Sequence, residues 1–217
     1  VEYVPFWAGW SWGWGYYPLL SRPYYEGSEP GPAPFDERRV AARLDAYGAG
    51  DARGAAGTLA MSMEGPVAGF AADVTGLALT DASSATTNAA LTLGSARATW
   101  SIVSDESFRL RLELGGSMLS VPATGIYAGT SFANTVSFGP QAGVSGTLGL
   151  VGPIGFEAHA RVTPYPVPVF DARAAVVLRG GPFALSAGWR QIDVNGNGVD
   201  APEAHFKGPE LGLQLVF

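Results

Sequence analysis

The sequence predicts an all-β fold, an antiparallel up-and-down transmembrane β-barrel of about 10 strands, from three observations. From about residue 38 onward the chain breaks into short segments of alternating polarity separated by turn residues. Charged residues are only 15% of a composition that is 47% hydrophobic, well below the quarter usual in a soluble domain. No run of about 18 apolar residues occurs, so any passage through lipid falls to strands, which must close on themselves to satisfy their backbone.

Candidate strands are read at 39–49, 53–64, 67–79, 89–103, 107–116, 134–150, 155–163, 169–180, 182–193 and 206–217. An eight-stranded count follows if two of these are misread. Most are near the roughly 9 to 11 residues of a tilted membrane strand. Phe108 to Leu114 alternates without a break, and Phe156 to Val162 repeats the design. Leu77 and Leu79 fall out of phase with Phe70, Ala72 and Val74, as do Leu91 and Leu93 with Ala98, Trp100 and Ile102. Bulges near Gly76 and Gly94 would reconcile the phases.

Tight connections at Gly65-Pro66, 104–106, 152–154 and Gly180-Gly181 alternate with longer ones at 80–88, 117–133, 164–168 and 194–205. Only 50–52 is short where a loop is expected. Bacterial barrels have short turns on the periplasmic side and longer loops outside, so both termini are expected in the periplasm. Phe108, Phe156 and Phe183 just after tight turns, with Phe217, would ring the periplasmic interface, and Phe138 and Phe170 would mark the other.

The last strand carries a resemblance. Leu211, Leu213, Leu215 and Phe217 share one face of a period-2 pattern, with Glu210, Gly212, Gln214 and Val216 on the other. Glu210, Gly212, Leu215 and Phe217 resemble the C-terminal assembly signal of bacterial outer-membrane β-barrels. The resemblance implies an integral protein of the Gram-negative outer membrane, inserted by the β-barrel assembly machinery and surrounded by outer-membrane lipid and lipopolysaccharide.

With the apolar faces toward lipid, the opposite faces collect Arg43, Arg97, Arg109, Arg111, Arg161, Arg173, Arg179 and Arg190 against Asp45, Glu64, Asp73, Glu113, Glu157, Asp171 and Glu210. An Arg facing mid-bilayer lipid costs about 2 to 4 kcal/mol, which assigns these charges to the lumen. Their near balance predicts a salt-bridge network filling a narrow barrel, where an ion-selective pore would show one dominant sign. A soluble lipocalin-like barrel or sandwich would instead turn the Leu faces inward and the Arg faces to water. Low charge and the near absence of Lys, with Lys207 alone against twelve Arg, count against that alternative.

Cysteine is absent, which excludes disulfides, thiolate metal sites, a Cys nucleophile and an N-terminal lipid-modified Cys. A net charge of -6 gives no footprint for nucleic acid. If the protein is exported, a chain starting at Val1 with no basic n-region and apolar h-region is its mature form.

Residues 1–37 form a segment apart from the barrel at 38–217. Trp7, Trp10, Trp12, Trp14, Tyr16 and Tyr17 crowd it, and from Trp10 aromatics alternate with Ser and Gly. Ser28 to Pro34 reads as a stiff linker. Trp is a favoured interface anchor, so docking onto another envelope protein through residues 1–30 is expected in preference to adsorption at the membrane interface.

Asp193, Asn195, Asn197 and Asp200 open a D-x-N-x-N-G pattern that could hold calcium, although Ala204 stands where the bidentate Glu belongs. Asn-Gly pairs also serve plain turns. His159 and His205 have neighbouring acids but no catalytic motif, so no enzyme is expected and no catalytic residue is assigned. The expected role is structural or anchoring, as an accessory subunit of a larger envelope complex. The alternative is a narrow, porin-like channel for small solutes, and an outer-membrane enzyme is a further one.

Overall fold

A computed structural model describes residues 39–48, 53–65, 67–80, 88–104, 108–121, 125–127, 130–132, 135–151, 153–180, 182–196 and 203–216. The segment 1–37 lies outside them. The strands are β1 (Arg39–Gly48), β2 (Arg53–Glu64), β3 (Ala68–Thr80), β4 (Asn88–Ser104), β5 (Phe108–Val121), β6 (Gly125–Tyr127), β7 (Thr130–Phe132), β8 (Thr135–Val151), β9 (Ile154–Thr163), β10 (Val169–Gly180), β11 (Phe183–Asn195) and β12 (Glu203–Val216).

Ten of these form a closed antiparallel barrel in the order β1-β12-β11-β10-β9-β8-β5-β4-β3-β2, with β6 and β7 as a separate hairpin. The ten predicted segments are those ten strands, so the eight-stranded alternative falls. Closure runs through β1 and β12, with Ala42 opposite Leu215 and Tyr47 opposite Glu210. A closed ladder leaves no edge for another chain to extend. Tight turns cluster at one end of the barrel with the outer ends of β1 and β12, and the longer connections cluster at the other, here the turn end and the loop end.

The outer wall is apolar. Leu59, Met61, Phe70, Trp100, Leu112, Leu114, Val144, Phe156, Val176, Leu185 and Leu211 all point outward and are exposed. The inner wall is charged, with Arg111 only 2% and Glu113 only 1% exposed. That distribution is the reverse of a water-soluble barrel and the one a lipid environment stabilises.

Two expectations need correction. The ladders through Gly76, opposite Gly57 and Thr92, and through Gly94, opposite Val74 and Met118, run without a register shift. The irregularities fall between Ser101 and Val103 and between Gly149 and Val151. Leu77 and Leu91 were out of phase with the outer face because they point into the barrel, where both are buried.

Near the loop end the lumen is apolar. Leu77, Leu91, Leu119, Val121, Val167, Ile192, Val194, Ala204 and Phe206 pack there as one cluster. On β11 and β12 the outer face at that level is polar, with Gln191 opposite Lys207, Asp193 opposite His205 and Asn195 opposite Glu203. The wall here has an apolar interior and a polar exterior, the arrangement of an antiparallel sheet with one face to water. Phase reversal also explains why β5 extends to Val121, past the predicted stop at 116: Leu114 faces out, while Leu119 faces in.

Candidate functional site

The lumen brings together the charged residues that sequence assigned to it on β2 to β12. At the turn end, Arg111 pairs with Glu64, which also accepts a bond from Thr99 Oγ1 at 3.0 Å. Arg109 donates to Ser101 Oγ at 2.9 Å and to the Gly65 carbonyl at 2.5 Å. Arg179 reaches Glu157 at 2.9 Å, and Arg173 lies 3.5 Å from the same carboxylate while pairing with Glu210.

In the middle, Glu113 receives two guanidinium groups, Arg97 Nε at 3.0 Å and Arg161 Nε at 2.6 Å. Arg97 also pairs with Asp73. Arg161 extends to within 3.7 Å of Asp73 on β3 and 3.8 Å of Asp171 on β10, so one side chain links distant parts of the wall. Arg190 grips Asp171 with two bonds, at 2.8 and 2.9 Å, and donates to Thr58 Oγ1 on β2 at 2.9 Å. Fork-on-carboxylate geometry of this kind is why these positions hold Arg and not Lys.

Local sequence makes the network possible. Charges at alternate positions, such as 109, 111 and 113 on β5, all project inward. Glycine supplies passage between strands. In one row across the sheet Glu113 faces Gly143, and Gly143 faces Arg161. A side chain at 143 would meet Arg161 Cγ at 2.7 Å, so the bare backbone lets Arg161 fold over β8 to Glu113.

Above this network, a cleft of about 30 Å³ lies under the apolar cluster, lined by Leu93, Leu119, Val169, Asp73, Asp171 and Arg190. That is room for about one water. His159, assigned to the lumen, lies 3.5 Å from Asp171.

Other predicted residues are placed as follows. Arg43 stands opposite Gln214, and Asp45 opposite Gly212, at the β1–β12 closure. Within the assembly motif, Glu210 is buried in the network, Gly212 faces Ser186 and Leu215 faces Phe183. Phe217 lies outside the described residues, as do Trp7, Trp10, Trp12, Trp14, Tyr16 and Tyr17. Of the calcium pattern, Asp193 and Asn195 are on the outer face of β11, while Asn197 and Asp200 lie outside the described residues. Asp193 accepts from Gln191 and lies 3.0 Å from His205 Nδ1, with Glu203 3.4 Å from Nε2. The bond to Asp193 raises the pKa of His205 from its ordinary value, against the opposing effect of burial and with further help from Glu203.

Sequence reasoning missed the polar neutral partners Thr58, Thr99, Ser101 and Ser186, because a Ser or Thr on a strand is not distinctive. It also missed the apolar cluster. The available signal was Ile192, Val194, Ala204 and Phe206 alternating with Gln191, Asp193, Glu203, His205 and Lys207.

No protein-family model and no curated protein matches the chain. Among solved structures it is similar to Neisserial surface protein A, at 14% identity over 83% of this chain and 96% of that one, with a TM-score of 0.37. It is also similar to CdiB from Acinetobacter baumannii, at 6% identity over 83% of this chain and 60% of that one, with a TM-score of 0.30. Similarities this distant say nothing of ligand or role, for which the barrel's own geometry is the guide.

Proposed function

We propose that the chain is an integral outer-membrane β-barrel with a structural or anchoring role, an accessory subunit that docks a larger envelope complex through its aromatic N-terminal arm. The observation that carries this reading is the bridged lumen. Arg161 links β9 to Glu113 and Asp73, and Arg190 links β11 to Thr58. Side chains committed to one another across a narrow barrel hold the wall rigid and occupy the space a solute would need. The apolar cluster above them opposes ion passage a second time. A narrow channel for small solutes fits this interior less well.

The role of the arm rests on its composition, since exposed Trp clusters favour burial against a partner. Copurification in mild detergent tests it. Full-length protein is expected to bring down envelope partners that are lost when residues 1–30 are removed, with the truncated barrel still in the membrane fraction. Partners that all remain after truncation would count against docking through the arm. Planar-bilayer recording tests the lumen: the protein is expected to give no steady openings, and openings reduced by charge changes at Arg109 or Arg111 would favour the channel.

A further inference from the structure

One cation of the chain stands apart from the lumen network. Seven arginines are buried in the lumen, where planar guanidinium forks meet carboxylates. Lys207 is the only lysine, and it faces the other way. Its neighbours Phe206 and Gly208 turn inward and are buried, while Lys207 sits on the outer wall opposite Gln191.

The outer face of the β11–β12 hairpin is graded along its length. Four outward rungs, from Phe183 and Leu215 up to Trp189 and Pro209, are apolar, and the three from Gln191 and Lys207 up to Asn195 and Glu203 are polar. The change is complete within one rung, between Trp189, which is exposed, and Lys207. An indole at such a boundary is the side chain favoured at the headgroup level of a membrane.

The acids beside Lys207 are engaged elsewhere. Asp193 accepts from Gln191 and lies 3.0 Å from His205 Nδ1, and Glu203 lies 3.4 Å from His205 Nε2. Lys207 itself has no ion pair among the described residues. A lysine placed this way lays its four-carbon stem on apolar neighbours and carries its charge outward. The ammonium then meets a phosphate as a point charge, with none of the fork geometry that the lumen requires.

We propose that the outer face of β11–β12 is a lipid-headgroup site, in which Lys207 holds the phosphate monoester of an anionic lipid whose tails lie along the apolar rungs below Trp189. Charge complementarity selects the headgroup, since a monoester carries an uncovered negative charge where phosphatidylcholine carries its own cation. The site gives the barrel a preferred lipid partner beyond its anchoring role, and it rests on the reading that the apolar belt lies in lipid.

The test uses the full chain in phosphatidylcholine nanodiscs containing increasing fractions of phosphatidic acid. Because Lys207 is the only lysine, isotopic labelling of the lysine side-chain nitrogen gives a single ammonium signal in NMR. That signal is expected to move and saturate as phosphatidic acid rises, and to stay in place when inorganic phosphate is added instead. The Gln191 side-chain amide reports the same titration in variants. Its midpoint should rise about fivefold in Lys207→Gln, the worth of one basic side chain at an anionic surface, and stay close to the native value in Lys207→Arg. Three results overturn the site: an ammonium signal unmoved by phosphatidic acid, a midpoint unchanged in Lys207→Gln, or inorganic phosphate moving the signal as far as the lipid does. Phosphatidylcholine with a nitroxide on its tail should broaden the Leu211 and Leu213 methyl signals in every form. Signals that stay sharp would overturn the membrane reading, and the site with it.

Discussion

Arg161 Nε lies 2.6 Å from Glu113 Oε2, although Gly143 and the whole of β8 separate their strands. The contact exists because position 143 has no side chain. Gly143→Val should therefore break it and leave buried charges unpaired, a loss of about 3 to 5 kcal/mol. Gly146→Ala, whose added carbon would meet only ordinary contacts at 3.6 and 3.8 Å, should change stability by about 0.5 kcal/mol or less. Urea unfolding in lipid vesicles compares the two.

Glu113 holds two arginines at once. Glu113→Gln alone is expected to destabilise by about 3 kcal/mol, because the partners stay buried and charged. Glu113→Leu combined with Arg161→Met should cost clearly less than the two single changes added together. Additive losses in the double-mutant cycle would mean that the pair is not coupled.

Outer and inner faces should respond oppositely to charge. Leu112 faces out and is 48% exposed, so Leu112→Arg should cost about 2 to 4 kcal/mol if it meets lipid. The same charge already sits one residue away at Arg111, facing in. A barrel standing in water would tolerate Leu112→Arg with little change in unfolding free energy.

His205 is exposed on the outer face of β12, between Asp193 and Glu203. Its raised affinity for a proton means that it stabilises the β11–β12 hairpin fully at acid pH, below its unfolded pKa, and loses that contribution as pH rises through the higher folded value. With only two histidines in the chain, NMR titration of the ring protons can follow it. Asp193→Asn should bring the midpoint down toward the ordinary imidazole range, and an unchanged midpoint would remove Asp193 as the cause.

Strand positions, the closing β1–β12 pair and the inward face of the arginines were legible because a period-2 pattern fixes which side each residue takes. Glu210 belonged to the lumen by that rule, and it is buried beside Arg173. The pattern has no information on what surrounds a face. Leu77 and Leu91 break the outward phase of their strands because near the loop end an apolar residue turns to the interior, where both are buried. Nor could alternation reveal which side chains meet across the lumen, since Thr58 and Arg190 are 132 positions apart in the sequence and meet only in the closed barrel. Arg161 reaching Asp73 across the lumen likewise depends on barrel closure.

The central claim is a wall that faces lipid along its belt and water beyond it, and β12 tests it in a single strand. Nitroxide labels placed singly at Leu211, Leu213, His205, Lys207 and Phe206 can be compared for collision with lipid-soluble oxygen and with a water-soluble nickel complex. Leu211 and Leu213 should favour oxygen, His205 and Lys207 should favour nickel, and Phe206, buried in the apolar cluster, should be shielded from nickel. Nickel reaching Leu211 and Leu213 as readily as Lys207 would contradict the claim, because it would put the apolar belt in water.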